Sequence, residues 1–186
     1  MLVKPSSIAR TIYGQYFDEK DYEQSSFWDK KTQGDLQKFL PTLEVRLIGY
    51  MAGDARKTTD STIKTTHGEF DIGIYDKDVQ IAQVEVTNSP KWRWEGSRYI
   101  PISYHKGEYA RGLKIPSWCV FYTPLDGRVH WLPFSEIWTE PHEVGSTTLK
   151  GKSVPQHNNR VPPHKWHEGL ESLANEINSM RKKRKS

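Results

Sequence analysis

Two runs near the middle of the chain alternate apolar and polar residues with the period of strands. Phe70, Ile72 and Ile74 alternate with Asp71 and Gly73, the pattern of a half-buried strand. Asp76-Lys77-Asp78 interrupts with turn chemistry. Val79 to Thr87 is rich in β-branched residues and reads as the partner strand of a hairpin over residues 69–87. In that second strand Gln83, Glu85 and Thr87 share a parity, and so a face, with the apolar Val79 and Ile81. The apolar phase therefore switches near Ala82, which implies a bulge there or burial of both faces.

Helical spacing appears in residues 33–52, where Leu36, Phe39, Leu40, Leu43, Leu47, Tyr50 and Met51 recur. Pro41 predicts a kink or a second helix start, and Gly53 a stop. Residues 103–113 predict a short helix capped by Ser103. Trp118 to Tyr122 is continuously apolar, as in a central strand covered on both sides. After an Asp126-Gly127 turn, Val129 to Leu132 predicts another strand, and Ser135 to Trp138 one helical turn. Residues 139–163 are rich in Pro, Gly, Ser and Thr without a period, which predicts a long loop or arm. Leu170, Leu173, Ala174, Ile177 and Met180 line one face of a closing helix. The order predicts an α/β sandwich with a central mixed sheet flanked by helices. Its parts are a leader (1–32) packed on the core, a core (33–138), the arm (139–166) and a C-terminal helix with a basic tail (167–186).

At 186 residues, 35% hydrophobic and 27% charged, the chain suits one domain with a real core. No apolar run approaches a membrane span, and no secretory signal is evident. The lone cysteine, Cys119, lies in the apolar run and reads as a buried thiol, which excludes a disulfide framework and fits a reducing, intracellular setting, cytoplasmic or nucleoid-associated. The net charge of +4 is mild, but Arg181-Lys182-Lys183-Arg184-Lys185 ends the chain with a positive run. That run reads either as a solvated helix end or as a phosphate-binding arm.

Acids inside strands are uncommon unless paired or bound to metal. Asp71 and Glu85, on adjacent strands, are placed to converge on one divalent cation, because hard cations take oxygen ligands. A helix with an inward Glu, a strand with Asp, a turn, a strand with Glu, then a helix resembles the core of the PD-(D/E)XK nuclease superfamily, the restriction-endonuclease-like fold. The resemblance covers residues 33–133. It implies that Glu44 is the optional acid of the first helix, that Asp71 is the metal-binding Asp, and that Glu85 is the acid of the Glu-x-Lys motif, with Gln83 flanking. Thr87 stands where the superfamily has its lysine. Some members carry that lysine on the following helix, which points to Lys106, with Lys91 as second choice.

The resemblance implies a metal-dependent endonuclease that hydrolyses DNA phosphodiesters with Mg²⁺, Mn²⁺ substituting. Asp71, Glu85 and the Val86 carbonyl are the expected ligands, and Glu44 would hold a second ion or one of its waters. Lys106 would position water and steady phosphate charge, while Gln83 and Thr87 hydrogen-bond waters or phosphate. Lys91, Trp92, Arg93, Trp94 and Arg98 mix cations and aromatics after the acidic strand, suited to phosphates and unpaired bases. The competing reading packs both tryptophans on the core. Arg56, Lys57 and Lys64 would line the same groove. DNA is the expected partner, RNA is not excluded, and a homodimer is expected because cutting a duplex takes two sites. The other function class is a non-catalytic nucleic-acid-binding or assembly protein on the same fold.

Overall fold

The first described element is a helix that starts well before its expected position. The computed structural model describes residues 19–48, 70–90, 92–149 and 152–185. Helix α1 spans Glu19–Phe39. Trp28, Thr32, Leu36 and Leu40 recur every four residues, so they share a face. Leu36 and Leu40 are fully buried. The Thr32 hydroxyl bonds the Trp28 carbonyl and the Tyr122 hydroxyl, each at 2.8 Å.

α1 stops before Pro41, which cannot continue a helix because it lacks the amide. A turn closes with Leu43 N–H on the Leu40 carbonyl at 3.1 Å, and strand β1 follows at Glu44–Leu47. The expected helix over 33–52 is therefore corrected, up to residue 48, to a helix end, a turn and a strand, while residues 49–52 and the expected stop at Gly53 lie outside the described residues. Gln37 holds the corner, accepting from Val45 N–H at 2.9 Å and donating to the Leu43 carbonyl at 2.8 Å. Gln33, one turn earlier, donates to the Val45 carbonyl at 2.8 Å.

Strands β2 (Ile72–Asp76) and β3 (Val79–Asn88) form the expected hairpin. Lys77 takes the left-handed conformation (φ 58°) in its turn. Ile74 pairs with Ala82 but Tyr75 with Gln80, so Ile81 is the extra residue of a bulge. Ile81 to Val86 are all buried, so the phase switch reflects both a bulge and burial of both faces.

Strand β4 (Ile100–Ser103) leads into helix α2 (Tyr104–Arg111). Strands β5 (Ser117–Thr123) and β6 (Arg128–Pro133) precede the short helix α3 (Phe134–Ile137). Residues 139–163 are not a long loop. They hold β7 (His142–Leu149) and β8 (Lys152–Val161), paired from His142↔Asn159 to Leu149↔Lys152. A two-residue strand β9 (His167–Glu168) and helix α4 (Leu170–Lys185) complete the chain.

The main sheet runs β1-β2-β3-β5-β6-β9, and β4-β8-β7 form a second sheet. Among the described residues, β3 and β5 are the only parallel pair of the main sheet, with β4 and α2 as the crossover between them. One face packs Leu36, Leu40, Leu173 and Ile177 of α1 and α4 on Ile72, Val84 and Val120. The other packs Ala110, Phe134 and Ile137 of α2 and α3 on Phe121 and Leu132. The architecture is thus the expected α/β sandwich. Among the described residues no helix is long and apolar enough to cross a membrane.

Candidate active site

Hairpin register decides what meets at the end of the sheet. Asp71 lies one residue before β2, and its carbonyl accepts from Ile48 N–H at 3.0 Å, continuing the β1–β2 ladder. Its carboxylate Oδ2 accepts from Val86 N–H at 2.8 Å. The antiparallel ladder has ended by this point, so the Asp71 side chain takes the amide that a strand would have taken. Backbone N–H and C=O of one strand residue point the same way, so the Val86 carbonyl faces this side too.

Glu85 precedes Val86 and faces the opposite side of the sheet from Val84 and Val86. It is 6% exposed, so its charge needs a partner. That partner is Lys106, on the first turns of α2, whose amine contacts the Glu85 carboxylate directly. The crossover through β4 brings α2 back over this face, which is why a lysine far along the chain reaches the acid.

Sequence reasoning missed a third acid, Asp29, on α1. Gln33 sits against Val45, and Asp29 lies one helical turn earlier, level with the β1–β2 ladder beside Asp71. It is 5% exposed. Burial pushes its carboxyl pKa up to about 8, the Asp71 charge adds to the rise, and Lys106 opposes it. The signal was an acid one residue from Trp28 on the face of Thr32 and Leu36, in a stretch that lacked an obvious apolar period.

Glu44 does not join the site, which corrects its assignment to the first helix. It is exposed on β1 opposite Tyr75, at the far end of the strand from Asp71. Four residues at roughly 3.3 Å each place it about 13 Å away. Its carboxylate bonds Arg46 at 2.6 Å, which holds its pKa low.

Gln83 is buried, and its amide donates to the Ser117 hydroxyl at 2.9 Å, so it braces β3 against β5. Thr87 is half-buried on β3, beside the strand that carries Cys119. Burial pushes the Cys119 thiol up to about 12, so Cys119 stays protonated and is no nucleophile.

The loop after β3 leaves from the same end of the sheet. Trp94 stacks on His130 at 3.5 Å and packs edge-on to Trp166, while its amide donates to Asp126 at 2.6 Å. Trp92 packs against the α2–α3 side of the core. Trp94 is thus committed to anchoring the loop, whereas Arg93 and Arg98 are exposed. Lys91, Arg56, Lys57 and Lys64 lie outside the described residues. The basic tail belongs to the other end of the sheet: Arg181 bonds both Asp76 carboxylate oxygens, at 2.8 and 2.9 Å, beside the hairpin turn.

No family profile and no curated protein matches this chain. A solved structure described as a nuclease from a fusselovirus aligns with 86% of this chain and 92% of its own, at 14% identity and a TM-score of 0.49.

Proposed function

We propose that the protein is a metal-dependent nuclease acting on DNA, with its site at the Asp71–Glu85 corner. What supports this reading is that Asp71 accepts from Val86 N–H next to Glu85, that Lys106 contacts Glu85, and that Asp29 on α1 feels the charges of both Asp71 and Lys106. Asp29 and Glu85 are both buried, which is unfavourable for carboxylates that are not compensated and has no packing rationale. Burial first, and then the Asp71 charge, push Asp29 towards its neutral form against the pull of Lys106, so carboxylate charge at this corner is short of compensation.

That shortage is what a hard divalent cation relieves, and the donors present are oxygens. Among the described residues no three His, Cys, Asp or Glu side chains already stand as a ligand set. Asp71, Glu85 and the Val86 carbonyl would hold the ion, with Asp29 adjoining. Mg²⁺ or Mn²⁺ there would supply a Lewis acid for a phosphodiester and favour deprotonation of water. The chain's own contributions are separate. Val86 N–H fixes the Asp71 carboxylate, Lys106 holds Glu85 and offers a cation for developing phosphate charge, and Gln83 keeps β3 in register. A homodimer would place two such sites on a duplex.

One observation favours the non-catalytic alternative. Thr87 stands at the superfamily's lysine position, and Lys106 is already paired with Glu85. Cleavage of labelled duplex, branched and single-stranded DNA with Mg²⁺ or Mn²⁺ separates the two. Metal-dependent cutting lost in Asp71→Ala, Glu85→Ala and Lys106→Ala is expected. Salt-sensitive binding without cutting would favour the binding module, and undiminished cutting in the variants would overturn the site.

A further inference from the structure

Among the described residues, two arginines of the loop between β3 and β4 have no counter-ion. Among the described residues, Arg46, Arg111, Arg128, Arg160 and Arg181 each pair with a carboxylate, and Arg184 reaches a carbonyl. The side chains of Arg93 and Arg98 are exposed and have no such partner among the described residues. Both line one shallow, open surface depression with Trp92, Glu95, Ser97 and Tyr99. Glu95 does not cancel them, because Arg128 pairs with it at 2.7 Å.

The surface is built on a pinned loop. Trp94 is stacked on His130 beneath it, and the Ser97 hydroxyl donates to the Arg93 carbonyl at 2.6 Å. Trp92 and Tyr99 meet edge to face at 6.3 Å, and the Arg160 guanidinium lies 4.5 Å over the Tyr99 ring. Preformed geometry of this kind lowers the ordering cost of binding. The loop starts just after Thr87 and returns through β4 into α2, so both its ends join elements of the active site.

We propose that this surface takes one unpaired nucleotide of a nucleic-acid strand, the phosphate on Arg93 and Arg98 and the base against Trp92 and Tyr99. It rests on the nucleic-acid reading above and adds the strand state: the substrate carries a single-stranded segment beside the cut. Two guanidiniums flanking a depression match a phosphate's oxygens. A base within a duplex has both faces stacked, whereas an unpaired base offers one to an aromatic ring. Such a ring typically contributes roughly 5- to 150-fold in affinity.

The test is fluorescence anisotropy in chelator, where nothing is cut, with a blunt duplex, the same duplex bearing an oligothymidylate overhang, and free oligothymidylate. The overhang is expected to bind more tightly than the blunt duplex. Arg93→Ala with Arg98→Ala should abolish that difference and reduce the slope of log affinity against log salt by about 0.7, the share of the one single-strand phosphate they hold. Trp92→Leu should weaken the overhang's advantage at an unchanged slope, because stacking carries no charge. Tyr99→Leu serves if that variant melts early. Equal binding of blunt and overhang duplexes, or an overhang preference that survives loss of both arginines, overturns the proposal. Overhang preference in a protein that never cuts would sink the nuclease reading alone; cutting without any strand preference would sink this one alone.

Discussion

Lys106, on a helix, and Glu85, in the middle of a buried strand, are in direct contact across the crossover that joins β3 to β5. Removing only the lysine leaves a carboxylate that is 6% exposed without its cation. Breaking a fully buried pair costs about 3–5 kcal/mol. Lys106 is 38% exposed, so about 1–3 kcal/mol is expected for Lys106→Met once solvent screening is allowed for. Glu85→Gln in the same chain should recover part of it. Urea denaturation of the two single variants and the double variant measures the coupling, and strictly additive losses would show that the contact has none.

The same contact predicts a transplant. Thr87 is two residues beyond Glu85 on the same face and half-buried, so Thr87→Lys puts an amine beside the acid from the strand. In Lys106→Met, expected to have lost cleavage, Thr87→Lys should restore a measurable fraction of it. Gel assays of the double variant decide this, and absence of any recovery would tie the role to the helix.

Asp29 predicts an unusual pH profile in chelator. Its pKa is about 8 in the folded chain, against 3.8 ordinarily. The folded state therefore holds a proton that the unfolded state has released, and stability falls as pH rises from about 4 towards 8. Asp29→Asn keeps the volume and removes the charge, so it should flatten that fall and melt higher than wild type at pH 9. It should also gain less from added Mg²⁺, as ligand-linked stabilisation read by thermal melts.

His130 predicts the opposite limb. Burial lowers its pKa below the usual imidazole value, so the unfolded chain takes up a proton first as pH falls below about 6.5. Its stability contribution is complete above that pH and lost below it. His130→Phe retains a ring for Trp94 to stack on and should soften the decline between pH 6.5 and pH 5 on the order-of-magnitude scale of imidazole titration. An unchanged decline in melting temperature would assign it to other groups.

Arg181 predicts a stability effect without a functional one. It grips Asp76 in bidentate fashion and adds a bond to the Thr42 hydroxyl at 3.0 Å, tying α4 to the hairpin turn. Arg181→Ala should cost about 1–3 kcal/mol, the scale of a charge-assisted, partly buried pair. Urea midpoints check this. DNA affinity should hold within twofold, since Asp76 is at the far end of β2 from Asp71.

The hairpin was readable because its alternation and its Asp76-Lys77-Asp78 break are local signals, and β2 and β3 are found there. The Lys106–Glu85 contact was expected only through the superfamily resemblance, since nothing local marks a helix lysine as facing a strand acid. Asp29 was hidden because α1 mixes polar residues into its inward face: Thr32 is fully buried yet satisfied by Trp28 and Tyr122. Glu44 was misplaced for a related reason. Leu43 and Leu47 fit helical spacing as well as the alternation of a short strand, and only the turn at Pro41 decides between them. The β7–β8 pair escaped because a backbone ladder holds it together, with little apolar alternation in its sequence.

The Gln33 and Gln37 bonds to Val45 have a consequence for how the molecule keeps to itself. Val45 lies on β1, the outermost strand of the main sheet, and its outward N–H and C=O are the groups another chain would recruit. The two glutamines are one helical turn apart, about 6 Å, close to the two-residue repeat of a strand edge, about 6.6 Å. α1 thus acts as a surrogate neighbouring strand, written in side-chain amides, that terminates the sheet. Strand addition is closed off on that border, and any growth of the sheet by a second chain is left to its other rims.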